Sequence, residues 1–197
     1  GCSAPPVHGN ISALTANAAD DAELCAAHGV PANVCVRCEP TRAARFRAAN
    51  DWCAPHDVPE SQCLTCHPDL SFEPLPALGA DADIASLDAD AVGDDLRRAA
   101  VDGKVTVVDV WAVWCVPCRK TLVTLHTLLR EDPALAVRKI ELPSWDHAFA
   151  GQHLGATVAL PMLVVFDAGG VEVGRVQGHD PAALRALLGR AARRGGE

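Results

Sequence analysis

The chain has 197 residues, 49% of them apolar, and a formal net charge of −8, enough for one ordinary domain with a core plus a smaller module. No stripe of Lys and Arg interrupts the acidic balance, which argues against nucleic acid as the main partner. No apolar run approaches the roughly 20 residues that a membrane-spanning helix needs.

Residues 1–21 read as a flexible tether. Their opening, "GCSAPPVHGN", resembles the processing site of bacterial lipoproteins, in which a small residue precedes the cysteine that carries the lipid. The resemblance implies a lipid on Cys2, a membrane anchor, and a place in the bacterial cell envelope facing the periplasm or another extracytoplasmic space. The plain alternative is a tail that happens to contain a cysteine. Setting Cys2 aside leaves eight of the nine cysteines, an even number.

Residues 22–68 contain a repeat. "CAAHGVPANVCVRCEP" from Cys25 and "CAPHDVPESQCLTCHP" from Cys53 match at an offset of 28: Cys25/Cys53, His28/His56, Val30/Val58, Pro31/Pro59, Cys35/Cys63, Cys38/Cys66 and Pro40/Pro68. "TRAARFRAAND" between them suits a short connecting helix. Each repeat offers three sulfurs and one imidazole, a complete tetrahedral set for zinc or another thiophilic ion such as copper(I). The module lacks the apolar residues for a core of its own, so an ion would supply the folding energy. Two alternatives stand beside this one. Six cysteines also make a disulfide framework in an oxidising compartment. "CLTCH", Cys63 to His67, fits covalent haem attachment, although the first repeat has Glu39 at the position of His67. The spacing is similar to Cys/His repeats near the start of some heavy-metal efflux adaptor proteins.

Residues 69–86 read as an acidic, Pro-containing linker without a clear period. "DADAVGDDLRRAAVDGK" then predicts an amphipathic helix with acids early and Arg late, and "VTVVDVWA" a buried strand. "CVPCRKTLVTLHTLLRED" predicts a helix with Leu122, Leu125, Leu128 and Leu129 on one face. "LAVRKIEL" reads as a second strand, "WDHAFAGQHLG" as a short helix, and "MLVVFD" and "VEVGRVQG" as a hairpin around Ala168-Gly169-Gly170. The final helix follows Asp180 as N-cap and Pro181 at its first position. The order α-β-α-β-α-β-β-α over residues 87–197 implies an α/β fold, a mixed sheet with helices on both faces. The Asp-rich stretch from Asp81 to Asp95 reads as solvated spacing between the modules. His126, His147 and His153 read as core or surface residues rather than ligands.

Cys115 and Cys118 differ from the repeated pairs in context. They fall where a buried strand meets a helix, and the free N–H groups there stabilise a thiolate. "VVDVWAVWCVPC" resembles the active-site segment of the thioredoxin family, and the resemblance extends over residues 87–193. It implies a thioredoxin fold and thiol-disulfide exchange. Cys115 would attack, Cys118 would resolve, and the buried Asp109 would take a proton. Trp111 and Trp114 match the family's two tryptophans. Lys139 falls near the buried acid, Pro161 matches its cis proline and Gly178 a late glycine facing the site. Val116 replaces the usual Gly between the cysteines, and Val123 stands where the family has a helix-kinking proline. The partners implied are disulfide-containing protein substrates and a membrane electron donor. The rival expectation is a metal-handling chaperone or sensor in which this domain recognises partners.

Overall fold

The computed structural model describes residues 23–67, 70, 72–155 and 159–194. Cys2 and the tether expected over 1–21 lie outside them. Each repeat builds the same motif. A turn after the first cysteine is closed by Cys25 N–H on Val30 O at 2.7 Å, and by Cys53 N–H on Val58 O at 2.8 Å. The turn passes through a left-handed residue, Gly29 at φ 67° and Asp57 at φ 52°, and Gly and Asp both tolerate that region. One 3-10 turn follows in each repeat, Ala32–Val34 and Glu60–Gln62. Helix α1 (Ala43–Ala48) connects the two.

The module does have a small core, contrary to the expectation from its composition. Phe46, fully buried, packs with Val34, Val36, Cys53, Val58 and Cys63. That cluster is completed from outside by Val113 and Trp114, which immediately precede Cys115. The module therefore shares its core with the domain that follows.

The stretch read as linker is not free spacing. Leu75 is buried in the core behind the sheet, Pro76 O accepts from His126 Nδ1 at 2.9 Å, and the segment ends in strand β1 (Asp83–Leu87). Asp83 of the acidic stretch pairs with Lys104 and Arg138, each at 2.7 Å. The helix expected from Asp88 to Lys104 is two short pieces. Helix α2 (Ala89–Val92) is capped by Asp88 and stopped by Gly93 at φ 63°. Asp95 then caps a 3-10 turn, Leu96–Ala99. The acids are mostly caps and pairs rather than a solvated spacer.

The remaining elements follow the sequence pattern: β2 (Thr106–Trp111), α3 (Val116–Glu131), β3 (Ala136–Glu141), α4 (Ala148–His153), β4 (Met162–Phe166), β5 (Glu172–Gln177) and α5 (Pro181–Arg194). The sheet runs β1-β3-β2-β4-β5. β1, β3 and β2 are parallel, and β4 and β5 antiparallel. Alternation along the strands splits the core in two. Val108, Val110, Ile140, Met162 and Val164 pack with Phe149 on one face. Val107, Val137, Leu163 and Val165 pack with Leu122, Leu125, Leu184 and Leu187 on the other. This is the α/β thioredoxin fold, a five-stranded mixed sheet between helices, preceded by the Cys/His module.

Candidate active site and metal centres

β2 runs through the centre of the sheet and delivers Ala112, Val113 and Trp114 to the start of α3. Cys115 is the N-cap of that helix, and its Sγ accepts from Cys118 N–H at 3.1 Å. Cys115 and Cys118 are joined as a disulfide. When the bond opens, that N–H and the dipole of a 16-residue helix favour negative charge on Cys115. Cys118 is 3% exposed and Cys115 is more open, an attacking thiol with a resolving thiol behind it. Pro117 sits in the first turn, where its missing N–H has no helical partner to lose.

Asp109 has the sheet parity of Val107 and so belongs to the face that packs on α3. It lies opposite Lys139 in the β2–β3 register. Both are buried, and Lys139 Nζ lies 4.6 Å from the centre of the Trp111 ring. Asp109, Lys139, Cys115 and Cys118 line a common cavity of about 50 Å³, more than the 10–15 Å³ that holds one water. The antiparallel pairing of β4 brings Met162 beside Val110, so Pro161 sits at the same sheet end as the cysteines. The Leu160–Pro161 peptide is cis. Gly178, at φ 72°, donates its N–H to Pro161 O at 2.8 Å. Six residues singled out in the sequence, Cys115, Cys118, Asp109, Trp114, Lys139 and Pro161, thus gather at one end of the sheet.

The two Cys/His sets are equally compact. His28 Nδ1 lies 3.3 Å from Cys25 Sγ and 3.4 Å from both Cys35 Sγ and Cys38 Sγ, and Cys25 and Cys38 are 3.4 Å apart. His56 Nδ1 lies 3.4 Å from Cys53 Sγ, 3.5 Å from Cys63 Sγ and 3.4 Å from Cys66 Sγ, and Cys53 and Cys66 are 3.5 Å apart. A tetrahedral zinc with ordinary bond lengths sets S···S near about 3.8 Å and S···N near about 3.6 Å. The donors fit a metal ion almost without movement, and within each set all four lie within 4.8 Å of one another. The six repeat cysteines are free thiols, which disfavours the disulfide framework. His67 turns away to Glu60 Oε2 at 3.0 Å, leaving Cys63 and Cys66 to the second set rather than to haem.

Crowding is visible in the acidities. The hydrogen bond from Cys38 pulls Cys25 down to about 6, and the bond to Cys25, then that to Cys35, pushes Cys38 up to about 11. Burial, then Cys63, pushes Cys53 up to about 12. Three thiolates cannot share one small site unless a cation balances them. One cysteine of each set, Cys38 in the first and Cys66 in the second, is exposed.

No family model matches the chain. A thioredoxin of Echinococcus granulosus is 29% identical over 96 residues, 49% of this chain and 86% of that protein. The mitochondrial thioredoxin-2 of Schizosaccharomyces pombe is 30% identical over 99 residues, 50% of this chain and 71% of that protein. The chain belongs to the thioredoxin family. Among solved structures, thioredoxin from Trypanosoma brucei brucei aligns over 60% of this chain and 99% of its own at 19% identity and a TM-score of 0.45. The thioredoxin-family part is a thiol-disulfide oxidoreductase, and the similarity spans about half of the chain.

Sequence reasoning missed one set of residues at the thioredoxin centre. Pro31, Asn33 and Val34 of the first repeat also line the cavity beside Cys115 and Cys118. The available signal was apolar: Val30, Val34, Val36 and Phe46 are too many for a module with nothing to pack against.

Proposed function

We propose that this chain is a lipid-anchored reductant of the bacterial envelope, using the Cys115–Cys118 dithiol and carrying two metal ions, zinc or another thiophilic ion, in its repeats. The observation that carries the redox part is the Cys115 N-cap of α3 beside the buried Asp109 and the cis Leu160–Pro161 peptide. Cys115 thiolate attacks one sulfur of a substrate disulfide, forms a mixed disulfide and releases the other substrate sulfur as a thiolate. Asp109 takes the proton of Cys118 through cavity water. Cys118 then attacks Cys115 Sγ, and the second substrate thiolate leaves. Two electrons pass from the dithiol to the substrate, and a membrane electron donor restores the dithiol. Backbone groups next to Pro161 offer a strand-like edge for the substrate.

Anchoring through Cys2 and a periplasmic location rest on the lipoprotein-like "GCSAPP" opening. The metal ions rest on the two compact Cys3His sets. A second function, delivery of the metal to a partner, is favoured by the exposed Cys38 and Cys66, through which an ion can pass by ligand exchange. Two measurements test these assignments. A Cys118→Ser chain should accumulate mixed disulfides through Cys115, and a chain that traps no partner refutes the redox assignment. Intact mass of the native protein should show the lipid and two metal ions. A redox-active chain without metal would remove the second function and leave the first.

A further inference from the structure

The first repeat forms a wall of the redox centre. Pro31, Asn33 and Val34 close one side of the small cavity that Asp109, Cys115 and Cys118 line from the other. Pro31 and Val34 are buried there. In sequence these wall residues lie between the two halves of the first Cys3His set: Cys25 and His28 precede them, and Cys35 and Cys38 follow. Val34 is bonded directly to Cys35. At the other end Leu24, the neighbour of Cys25, bridges to Pro31, and Cys25 N–H donates to Val30 O. The places taken by the four ligands therefore fix both ends of the wall.

Other contacts brace the wall between those ends, and Val34 also packs with Phe46 in the shared core. The wall is one 3-10 turn, with Val34 N–H on Pro31 O at 3.2 Å and Cys35 N–H on Ala32 O at 3.4 Å. From outside, Arg42 donates to Ala32 O at 2.7 Å, Gln62 donates to Val34 O at 2.8 Å, and Ala32 N–H donates to Glu23 O at 3.0 Å. The second repeat has diverged here. Its Pro59, Ser61 and Gln62 are absent from the cavity lining, and Ser61 is bonded instead to Asp51. The wall is a property of the first repeat.

Reduction adds two electrons and two protons to the disulfide and gives two thiols, whose sulfurs move apart. Cys118 is 3% exposed, so the extra volume must be found inside the site, against this wall. The parted sulfurs and the wall must share one cavity of about 50 Å³, so the position of the wall sets how much of that space the dithiol can use. A wall whose ends are also tied to a metal ion yields less than one held by these contacts alone.

We propose that the first Cys3His set and the Cys115–Cys118 pair are thermodynamically coupled through Pro31–Val34. An ion in the set favours the disulfide and makes the dithiol the stronger reductant. By linkage, reduction of the pair weakens the set's hold on its ion by the same factor. Val34 is a positioning residue in this scheme, acting through the shape of the cavity. The proposal rests on the assignment of the first set as a metal site.

The test uses the full chain loaded with zinc and equilibrated against a reference thioredoxin of known potential, which avoids small thiols that strip the metal. Couplings of this kind run from about 5-fold to about 150-fold, and tenfold in the exchange constant is about 30 mV for a two-electron couple. Removing zinc with a chelator should shift the exchange constant at least about fivefold towards the dithiol. Val34→Ala keeps all eight ligands, so it guards against the unfolding that loss of a ligand such as His28 would bring. With zinc content confirmed by native mass, it should shift the constant in the same direction. A zinc-loaded chain whose exchange constant ignores both the ion and Val34→Ala refutes the coupling alone. A chain that takes up no zinc refutes the metal assignment, and the coupling with it.

Discussion

Replacing Asp109 by Asn tests how Cys118 loses its proton. The substitution keeps the size of a 1% exposed side chain and removes its capacity to accept a proton. Without a base, the resolving step draws on whatever fraction of Cys118 ionises unaided. An ordinary thiol with a pKa of about 8.5 is roughly 3% ionised at pH 7, a loss of about 30-fold. Cys118 is 3% exposed, and burial raises a thiol pKa further, each unit adding about another tenfold. The expected loss at pH 7 is therefore about 30-fold to 1000-fold, which overlaps the range of about 100-fold to 10000-fold for general-base contributions. It should shrink about tenfold per pH unit as the solution approaches the thiol's own pKa. The assay is single-turnover release of a substrate thiol from a preformed Cys115 mixed disulfide, from pH 6 to pH 10. The attack step, followed separately by alkylation of Cys115, should change little. A loss of the same size at every pH, with slowed attack, would refute the base assignment and place Asp109 among residues that only hold the fold.

The other predictions concern the supports of the site. Phe46→Ala should cost about 3–5 kcal/mol in the repeat module, the usual cost of emptying a large aromatic site, because Phe46 is fully buried at the centre of the shared cluster. Urea titration should show it, and an unchanged midpoint would mean that this core does not hold the module. Asp83→Asn should lower stability by about 1–2 kcal/mol at pH 7. Burial alone would raise the Asp83 pKa, but the bonds from Lys104 and Arg138 outweigh it and hold it below the usual carboxylate range. That stabilisation is present above the unfolded value of about 3.9 and is lost as pH falls through the folded value, so the mutant and parent melting curves should converge in acid. The metal binding proposed for the Cys3His sets should weaken as pH falls, since thiols must release protons to bind. A chelator titration whose midpoint does not change with pH contradicts this.

What could be read from the sequence followed from the strength of local signals. "VTVVDV" is a run of β-branched residues with a single acid, and it forms the central strand. The Cys-Val-Pro-Cys step after it has one plausible place, the first turn of a helix, and lies there. The offset of 28 between the repeats survives as two turns, two 3-10 segments and two donor sets. Strand β1 was hidden because "DIASL" is five residues without alternation, and its place is set by pairing with β3. The helix expected after it was overruled by one backbone angle, at Gly93. The wall of the redox centre was hidden for a different reason. Pro31, Asn33 and Val34 lie at least 75 residues before Asp109 in the chain, and no periodicity links segments so far apart. Only the surplus of apolar side chains in the module announced a partner. That surplus also bears on what the module does. A metal-binding appendage on a flexible tether would need a polar exterior on every side, like the capping unit of an array. This one instead donates Phe46, Val34 and Val58 to a cluster with Trp114, one residue from the attacking sulfur. Whatever the repeats bind, they bind it while touching the redox centre, so an account of either site that leaves out the other is incomplete.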